Sequence, residues 1–505
     1  MKYRRFAQGL LATLVAAAAL GGLPAAVGTA SADVPSTVIF KQNTEGHDCF
    51  RIPAVVKADN GDLLAFAEGR NGGAAFCADA GDIDLVMKRS TDGGKTWGAL
   101  KVVVEGRGDT KGNPTPVVLP PTAAEPNGKI VLLTTMQCVS PHPSCGRIPR
   151  ISTSTDNGNT WLAPKELTTQ LGFTTAPTWL ATGPARAIVL EHGAHAGRIV
   201  AGFSYQLTPT SPGAGALMYS DDRGVTWHRG ADDPSADTAA LNPQEVNVTE
   251  LSDGRLYVAA RGHNTNSTPQ CDTDNRAYAI SSDGGATFSK KFAVIPGITS
   301  PRVQGSVLEM SSVTDGGKYN RLLYTGPSGC DRRMDLRVRS SFDEGGTWTS
   351  NDNSLLVWGD DAAYSDMIPL SSTTVGILFE AGPAMNATET IRWSTVSETQ
   401  LGAPACGTGY GVIESHALGT VGTTYLSYNA ANGQNCVSTM KSTGAGTASA
   451  TSAYLEVQGA ARKTDSGSFS YYAGPVTAAA AGKCVKWGGA VGTAKYDAPA
   501  FTHCG

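Results

Sequence analysis

Three short segments in the first hundred residues combine charged side chains in patterns that can do chemistry. The sequence Phe-Arg-Ile-Pro occupies residues 50–53, Phe-Ala-Glu-Gly-Arg occupies 66–70, and Asp-Ala-Gly-Asp-Ile-Asp occupies 79–84. Planar guanidinium groups bind carboxylates well, and carboxyl side chains can donate or accept protons. These segments therefore suit an anionic ligand and acid–base chemistry.

A repeated motif indicates the elements that must position these segments. The pattern Ser-x-Asp-x-Gly-x-Thr-Trp occurs four times, a fifth copy ends in Phe, and the five aspartates are 60 to 66 residues apart. Aspartate accepts backbone N–H bonds in a tight turn, glycine supplies a positive φ, and the aromatic ring packs the turn onto its neighbour. We interpret the motif as structural rather than catalytic, each copy pinning a β-hairpin. The copies span residues 90–97, 154–161, 220–227, 281–288 and 341–348.

The period of this repeat predicts the architecture. A unit of about 60 residues accommodates one four-stranded blade with its loops. Residues 33–400 hold about six such units, with strand-like segments around the motif and little helical periodicity. The sequence thus predicts an all-β fold, a six-bladed β-propeller followed by a small disulfide-containing β-domain. Only five units carry the motif, so we expect an N-terminal strand at residues 36–41 to complete the sixth blade with strands near the end of the propeller.

Composition and charge restrict the possible functions. The chain has 505 residues, 41% of them hydrophobic and 17% charged, which is typical of a folded, loop-rich protein. The formal net charge is −4, from 40 basic and 44 acidic residues. Without a basic excess to neutralise phosphates, no nucleic acid is expected as a partner.

The N-terminal segment is predicted to be a secretory signal peptide, residues 1–32. Three basic residues precede an apolar run at residues 10–20, and Ala-Ser-Ala at 30–32 suits a signal peptidase. No later stretch is long and apolar enough to span a bilayer, so we expect a secreted, extracellular product with no membrane span. The ten cysteines favour disulfides over zinc in that setting, and Cys138 and Cys145 are spaced as a short loop staple.

Residues 408–505 differ in character from the repeats. Gly, Ala, Ser and Thr dominate, and aromatic residues lie among four cysteines. The segments at 424–429, 471–475 and 484–489 resemble the spore-associated protein A family, a resemblance that brings no established chemistry. The aromatic side chains could form a glycan-binding platform, but core packing is the favoured interpretation.

The repeats and the three charged segments together resemble the bacterial exo-sialidases, also called neuraminidases. The resemblance covers residues 36–397 and implies a retaining exo-α-sialidase that needs no cofactor or metal and acts on sialylated glycans such as glycoproteins, glycolipids and oligosaccharides. A trans-sialidase or an intramolecular trans-sialidase is an alternative. A sialic-acid-binding propeller without catalysis is a further one.

The resemblance also implies roles for individual residues. Three arginines, Arg51, Arg261 and Arg333, would hold the carboxylate of the sugar. Arg332 is adjacent to Arg333, and Arg337 and Arg339 follow on the same predicted strand, so a shift of register could replace Arg333 by one of them. Sialidases use a tyrosine nucleophile where other glycosidases use a carboxylate. That nucleophile would be Tyr364, assisted by Glu245, which lies 16 residues before Arg261 across a Ser-Asp-Gly turn signal at 252–254.

The remaining roles concern the proton donor and its supports. Asp79 would protonate the leaving sugar, with Asp82 as the rival candidate. Cys77 suggests that this loop is stapled, with Cys49 as a candidate partner. Glu380 would hold Arg51 in place, and Arg70 would reach the N-acyl and C4 side of the sugar.

Overall fold

The computed structural model describes residues 34–72, 76–174, 176–209, 211, 213–234, 241–262, 276–329 and 332–505. The predicted signal peptide, residues 1–32, lies outside the described residues. Strands dominate the described chain, and regular helix there is limited to one 3₁₀ turn and one short α-helix. Neither of these two described helices is long and apolar enough to cross a membrane. The predicted all-β class is confirmed.

The N-terminal half begins with strand β1 (Ser36–Lys41) and continues into an eight-stranded sheet. That sheet follows the order β2-β3-β4-β6-β7-β8-β9, with β5 paired to β4. A single parallel bridge between Ile83 and Thr110 joins its two groups of antiparallel strands. Its members are β2 (Cys49–Lys57), β3 (Leu63–Asn71), β4 (Asp82–Ser90), β5 (Lys101–Val104), β6 (Thr110–Leu119), β7 (Lys129–Gln137), β8 (Arg147–Ser154) and β9 (Lys165–Glu166).

Two antiparallel sheets follow in the middle of the chain. The first has the order β10-β12-β13-β14 with β11 paired to β12, and the second has the order β15-β16-β17-β18. Their members are β10 (Trp179–Thr182), β11 (Ile188–Val189), β12 (Ile199–Gln206), β13 (Ala214–Ser220), β14 (His228–Asp233), β15 (Pro243–Glu250), β16 (Leu256–Gly262), β17 (Arg276–Ser281) and β18 (Lys290–Val294); the 3₁₀ turn is Gly193–His195.

The next sheet joins the two ends of the repeat region. Its order is β1-β24-β23-β22-β21-β20-β19, so the predicted pairing of the N-terminal strand with late strands is confirmed. The long strand β22 pairs with β21 through its first half and with β23 through its second. The members after β1 are β19 (Ser306–Ser311), β20 (Arg321–Pro327), β21 (Met334–Ser341), β22 (Leu355–Ser371), β23 (Thr374–Ala381) and β24 (Thr390–Ser397), followed by α1 (Glu398–Leu401).

The last hundred residues form two further four-stranded sheets, with the orders β25-β26-β27-β30 and β29-β28-β31-β32. Disulfides join Cys406 to Cys436 and Cys484 to Cys504. The strands are β25 (Gly411–Ala417), β26 (Gly422–Asn429), β27 (Gln434–Lys441), β28 (Ser449–Val457), β29 (Lys463–Phe469), β30 (Tyr472–Ala479), β31 (Val485–Val491) and β32 (Ala494–Asp497).

Aromatic residues of this C-terminal region pack inward rather than forming a platform. Trp487 is fully buried in the core between the two sheets. Tyr425 joins a cluster with Tyr319 and Phe342 from the repeat region. The Tyr471 hydroxyl donates to Glu344 Oε2 at 3.0 Å. These contacts favour the packing interpretation of the aromatic residues.

The repeated motif has the same geometry in all five copies. In the third, the buried Ser220 Oγ donates to Asp222 Oδ1 at 2.8 Å and accepts from Gly224 N at 2.8 Å. The backbone N–H of Thr226 donates to Asp222 Oδ1 at 2.8 Å, and its hydroxyl donates to Oδ2. Gly224 has φ +81°, a conformation that favours glycine. Each copy lies in the turn after the third strand of its unit, away from the charged segments.

Removing the serine of one copy should destabilise the fold measurably. We expect Ser220→Ala to lower the free energy of unfolding by about 1–3 kcal/mol, because the buried N–H of Gly224 loses its acceptor. Urea unfolding followed by tryptophan fluorescence, with disulfides intact, measures this. The exposed Ser372→Ala is the control, and an equal effect in both variants would contradict the structural role of the motif.

Candidate active site

β-Bulges in the strands that carry the predicted site aim its side chains. The ladder of β2 is interrupted between Arg51 and Ala54, and that of β15 between Gln244 and Asn247. The bulged residues Ile52 and Glu245 have φ of +59° and +49°. Residues other than glycine take such values uncommonly, and bulges redirect side chains next to functional sites.

Two further strands have the same irregularity. The ladder of β6 is interrupted around Asn113, which has φ +54°, and that of β22 is interrupted around Tyr364. Proline follows the bulged residue in both β2 and β6, as expected because proline cannot donate to the ladder. Four strands therefore present side chains from bulges.

Arg51 is fixed by the buried carboxylate of Glu380. Its Nε donates to Glu380 Oε1 at 2.8 Å and its Nη2 to Oε2 at 3.2 Å. Burial works to lower the pKa of Arg51, but Glu380 outweighs it and holds that pKa above its ordinary value. Glu380 also accepts the backbone N–H groups of Ile52 at 2.8 Å and Tyr364 at 3.3 Å. One carboxylate thus holds the arginine and two bulges.

Tyr364 lies at the centre of the cluster. Its hydroxyl donates a hydrogen bond to Glu245 Oε1. Arg261 Nη1 donates to Glu245 Oε2 at 3.0 Å and to Tyr364 Oη at 3.3 Å. The guanidinium carbons of Arg51 and Arg333 lie 5.1 and 5.9 Å from the centre of the tyrosine ring. The phenol is therefore surrounded by three guanidinium groups and one carboxylate.

Burial and neighbouring charges have opposing effects on the pKa values of Tyr364 and Glu245. Burial first, and then Glu245, raise the pKa of Tyr364 well above its ordinary value, although the arginines oppose the shift. Burial works to raise the pKa of Glu245, but Arg261 and the Tyr364 hydroxyl outweigh it, so that pKa lies below its ordinary value. The stable state at neutral pH is a protonated phenol beside a charged carboxylate.

Arg333, rather than the adjacent Arg332, faces the ring of Tyr364. Arg333 Nη2 donates to the backbone carbonyl of Arg302 at 2.9 Å. Arg332 forms ion pairs with Asp361 at 2.5 Å and with Asp360 at 3.6 Å. Because burial dominates, the pKa of Arg333 is lowered. Arg337 and Arg339 are both bonded to Asn351, so of these four arginines Arg333 is the one that faces Tyr364.

Arg70 binds Asp79 at the exposed edge of the cluster. Its Nε and Nη2 donate to Glu68 Oε2 at 2.9 and 2.5 Å, and its Nη1 donates to Asp79 Oδ1 at 2.7 Å. The same Nη1 also donates to the backbone carbonyls of Cys77 and Ala78. The Asp79 side chain is 88% exposed and lies 3.9 Å from Arg51 Nη1.

Asp82 and Cys77, which the sequence also singled out in this loop, have contacts of their own. Asp82 Oδ1 accepts the backbone N–H of Gly108 at 2.8 Å, in a turn rather than in the cluster. Cys49 and Cys77 form a disulfide, as the sequence suggested. Desolvation works to raise the pKa of Asp79, but Arg70 and Arg51 outweigh it and hold that pKa below its ordinary value.

The structure brings all eight predicted residues into one connected cluster. It adds three residues to which sequence reasoning assigned no role: Glu68 and Asn113, which lie in segments that resemble the family, and Arg147. Glu68 Oε1 accepts the backbone N–H of Asn113 at 2.8 Å, and Arg147 Nη2 donates to Asn113 Oδ1 at 3.3 Å. Glu68 could have been found because it stands two residues before Arg70 on one strand, on the same face. Arg147 follows a cysteine loop and carries no comparable signal.

A cavity of about 830 Å³ lies at the other end of the four bulged strands β2, β6, β15 and β22. Charged and polar residues such as Arg186, Glu250 and Glu309 contribute to its lining, and none of the eight predicted residues does. Within the described residues, no group of three or more His, Cys, Asp or Glu side chains is arranged to hold a metal ion.

Comparison with known proteins places this chain in a family. Residues 61–377 match the model of the BNR repeat-like domain. The chain belongs to the BNR repeat-like domain family. Within it, sialidases are among the relatives: that of Micromonospora viridifaciens is 28% identical over 401 residues, covering 75% of this chain and 58% of that protein. The sialidase of Bacteroides fragilis is 27% identical over 359 residues, covering 66% and 60%.

This BNR repeat-like chain thus spans about 60% of the length of these two curated relatives. A microbial sialidase, Hz136, shares its fold with a TM-score of 0.58 at 22% identity, covering 72% of this chain and 68% of that one. A separate match, to spore-associated protein A of Streptomyces coelicolor, is 44% identical over 88 residues, covering 17% of this chain and 56% of that protein. Both resemblances read from the sequence are confirmed.

The buried carboxylate of Glu380 should be indispensable to the stability of this BNR repeat-like fold. Each of its four contacts is a donor, so Glu380→Gln must turn an amide N–H₂ toward one of them and removes the charge opposite Arg51. We expect a loss of about 3–5 kcal/mol in the free energy of unfolding. Chemical denaturation followed by circular dichroism measures it.

Glu105→Gln is the matched control for that substitution. Glu105 pairs with Arg107 at 2.8 Å, but the two side chains are 60% and 82% exposed. An exposed pair of this kind contributes about 0–1 kcal/mol. Equal losses in the two variants would contradict the role assigned to Glu380.

Proposed function

We propose that the protein is a secreted exo-α-sialidase that hydrolyses terminal sialic acids from glycoconjugates with retention of configuration. The observation that carries the proposal is the ring of three guanidinium groups around Tyr364, with Glu245 hydrogen-bonded to its hydroxyl. Its partners would be sialylated glycans, and the predicted signal peptide would direct export.

Substrate binding follows from the charges of the cluster. Sialic acid carries a carboxylate on its anomeric carbon, and planar guanidinium groups bind such a group best. Arg51 and Arg261 are each paired with a glutamate on one side, whereas Arg333 is bonded to a backbone carbonyl. The substrate carboxylate would bind among these three groups, with the anomeric carbon above the phenol.

The nucleophile is suited to an anionic sugar. A carboxylate nucleophile would be repelled by the substrate carboxylate, whereas a neutral phenol is not. Glu245 would take the phenol proton as Tyr364 Oη attacks the anomeric carbon. Asp79, having first taken up a proton from solvent despite its lowered pKa, would protonate the departing glycosidic oxygen. A covalent tyrosyl glycoside results.

The second half of the reaction reverses these proton transfers. Asp79, now a carboxylate, would remove a proton from a water molecule that attacks the anomeric carbon. The bond to Tyr364 Oη breaks, and the phenolate recovers its proton from Glu245. Two inversions at one carbon give net retention, so the first product is the α anomer.

We propose further that β1 to β24 form a closed six-bladed propeller. Support comes from the pairing of β1 with β24 and from contacts between successive inner strands: β2 contacts both β6 and β22, and β19 contacts β15 and β22. Residues 33–400 would form this propeller, and residues 408–505 the small C-terminal β-domain.

Substitution of the nucleophile tests the proposed chemistry. We expect Tyr364→Phe to reduce kcat on 2,3- and 2,6-linked sialyllactose by at least about 10³-fold while retaining binding of the 2,3-unsaturated sialic acid analogue. Tyr410→Phe is the matched control, since its hydroxyl is bonded to Gln434 in the C-terminal region. Product release is followed by chromatography, and the anomer by NMR.

The same assay separates the alternatives. Unchanged turnover in Tyr364→Phe would refute the assigned nucleophile. A wild-type protein that binds the analogue but releases no product would be a binding propeller. Transfer to added lactose, or release of an anhydro sugar, would replace hydrolysis by one of the transferase reactions.

The Cys49–Cys77 disulfide should affect kcat/KM most for substrates whose leaving group must be protonated. Replacing Cys49 and Cys77 by serine frees the loop that presents Asp79. We expect kcat/KM on sialyllactose to fall about tenfold more than on 4-nitrophenyl sialoside, whose leaving group departs without protonation. Replacing Cys484 and Cys504, a disulfide of the C-terminal region, is the control. Equal losses on the two substrates would refute a positioning role for the disulfide.

A further inference from the structure

His47 is a buried histidine whose two ring nitrogens both face acceptors. Its side chain is 5% exposed, with Nδ1 3.1 Å from the backbone carbonyl oxygen of Glu45 and Nε2 3.0 Å from Asp84 Oδ2. A carbonyl and a charged carboxylate can only accept hydrogen bonds, and a neutral imidazole has a single donor nitrogen. Both contacts are satisfied only by the doubly protonated ring. The geometry therefore selects the imidazolium ion.

The charges around the ring favour that cation. Asp84 and Asp82, both on β4, are the acidic groups whose charges act on it, whereas the Glu45 carboxylate is paired with Lys88 at 2.7 Å. The hydrogen bond with Asp84 raises the pKa of His47 above its ordinary value, and burial opposes that shift without cancelling it. Burial works to raise the pKa of Asp84, but the contact with His47 and a backbone N–H outweigh it. Both groups are thus charged at neutral pH.

Strand β3 fits closely against this ring. A Cβ atom at Gly69 would lie 2.5 Å from His47 Cδ2, so that only glycine leaves room for the imidazole. Gly69 pairs with Asp84 across the β3–β4 ladder, and the ring of Phe50 on β2 has its centre 5.3 Å from that of the imidazole. Neither Gly69 nor Phe50 brings a charge. The ring therefore lies against β3 one residue before Arg70.

The loop at residues 42–48, which carries this histidine, is bonded to the end of β3 that presents the proposed acid. The backbone N–H of Asp48 donates to the carbonyl of Arg70 at 2.9 Å, and Asp48 Oδ2 accepts the N–H of Gly72 at 2.8 Å. Arg70 in turn donates to Asp79 Oδ1 at 2.7 Å. The disulfide to the Asp79 loop begins at the residue after Asp48. What fixes this loop also fixes the acid.

Resting on the proposed function, we propose that His47 is a positioning residue whose imidazolium form ties the 42–48 loop to β4 and so holds Arg70 and Asp79 in place for protonation of the leaving group. When the ring loses its proton, one buried nitrogen faces an acceptor without a hydrogen to donate, and the loop is held less firmly. Because the pKa of His47 is raised, this support is present at neutral pH and is lost as the pH rises through that pKa.

A titration that does not depend on activity tests the protonation state. In NMR spectra of protein with isotope-labelled histidine, the resonances missing from His47→Gln identify the residue. We expect its midpoint above the ordinary histidine value of about 6.5. A midpoint at or below that value would overturn the inference.

Kinetics test the positioning role. The quotient of wild-type kcat/KM over that of His47→Gln cancels the ionisations that the two proteins share. On sialyllactose we expect this quotient to be about three- to tenfold at about pH 6 and to approach one at about pH 9, with a smaller effect on 4-nitrophenyl sialoside. His503→Gln is the matched control, since His503 pairs with Glu414 at 2.7 Å in the C-terminal region, and it should give a quotient of about one throughout.

Asp84→Asn separates the charge from the contact. Its amide oxygen can keep the bond from the N–H of Gly106, and its N–H₂ can donate to Nε2 of a neutral ring whose Nδ1–H donates to Glu45. We therefore expect this variant to keep its sialyllactose activity at alkaline pH, where the wild type loses it, and to lose activity instead as the ring gains a proton. A wild-type pH profile in Asp84→Asn would refute the proposed role of His47.

The outcomes separate this inference from the proposed function. If the wild type cleaves both substrates but its quotient over His47→Gln does not change with pH, the positioning role fails while the sialidase assignment stands. If the wild type cleaves neither substrate, the proposed function fails and the positioning role with it. Should His47→Gln not fold, the pH profile of Asp84→Asn decides.

Discussion

The buried carboxylate of Glu380 is the interaction on which the rest of the site depends. It lies 329 positions after Arg51 in sequence, yet it accepts two bonds from that guanidinium and one from each of the backbone N–H groups of Ile52 and Tyr364. The Glu380 side chain is fully buried. A buried carboxylate is stable only when its oxygens accept hydrogen bonds and a nearby cation balances its charge. The position of the binding cation and that of the phenol are therefore set together, by one group.

A second set of buried polar contacts, centred on Asp366, fixes the strands that carry the cluster relative to one another. Asp366, two residues after Tyr364, accepts the N–H groups of Val55 and Arg186 and the hydroxyl of Ser306. Its burial raises its pKa to about 6, and the Arg186 guanidinium opposes that rise. These bonds connect β2, the segment before β11, β19 and β22. Since the strands are fixed to one another here, the bulges above these contacts have fixed relative positions, and the 830 Å³ cavity lies beyond them.

Local signals explain which features could be predicted from the sequence. The turn motif determines its own geometry through Ser, Asp, Gly and Thr within eight residues, and its period predicts about six units. Because only five of the predicted units carry the motif, the N-terminal strand is expected to complete the remaining one. The pairing of β1 with β24 agrees with this expectation. The bulges at Glu245 and Tyr364 depend on bonds to Ser204 and Glu380 from distant strands, so periodicity alone could not reveal them. Arg147 was missed for the same reason, since its partner Asn113 is 34 residues away.

The distribution of charge in the cluster explains why an anion should bind there. Arg51 and Arg261 have glutamate partners, so their charges are largely balanced before any ligand arrives. Arg333 donates to a backbone carbonyl and faces the tyrosine ring, and burial together with the other arginines lowers its pKa. Mutual repulsion among three guanidinium groups is thus only partly relieved by two carboxylates. A bound anion would supply the third negative charge, so that its binding would also complete the charge balance of the site beside Tyr364 and Glu245.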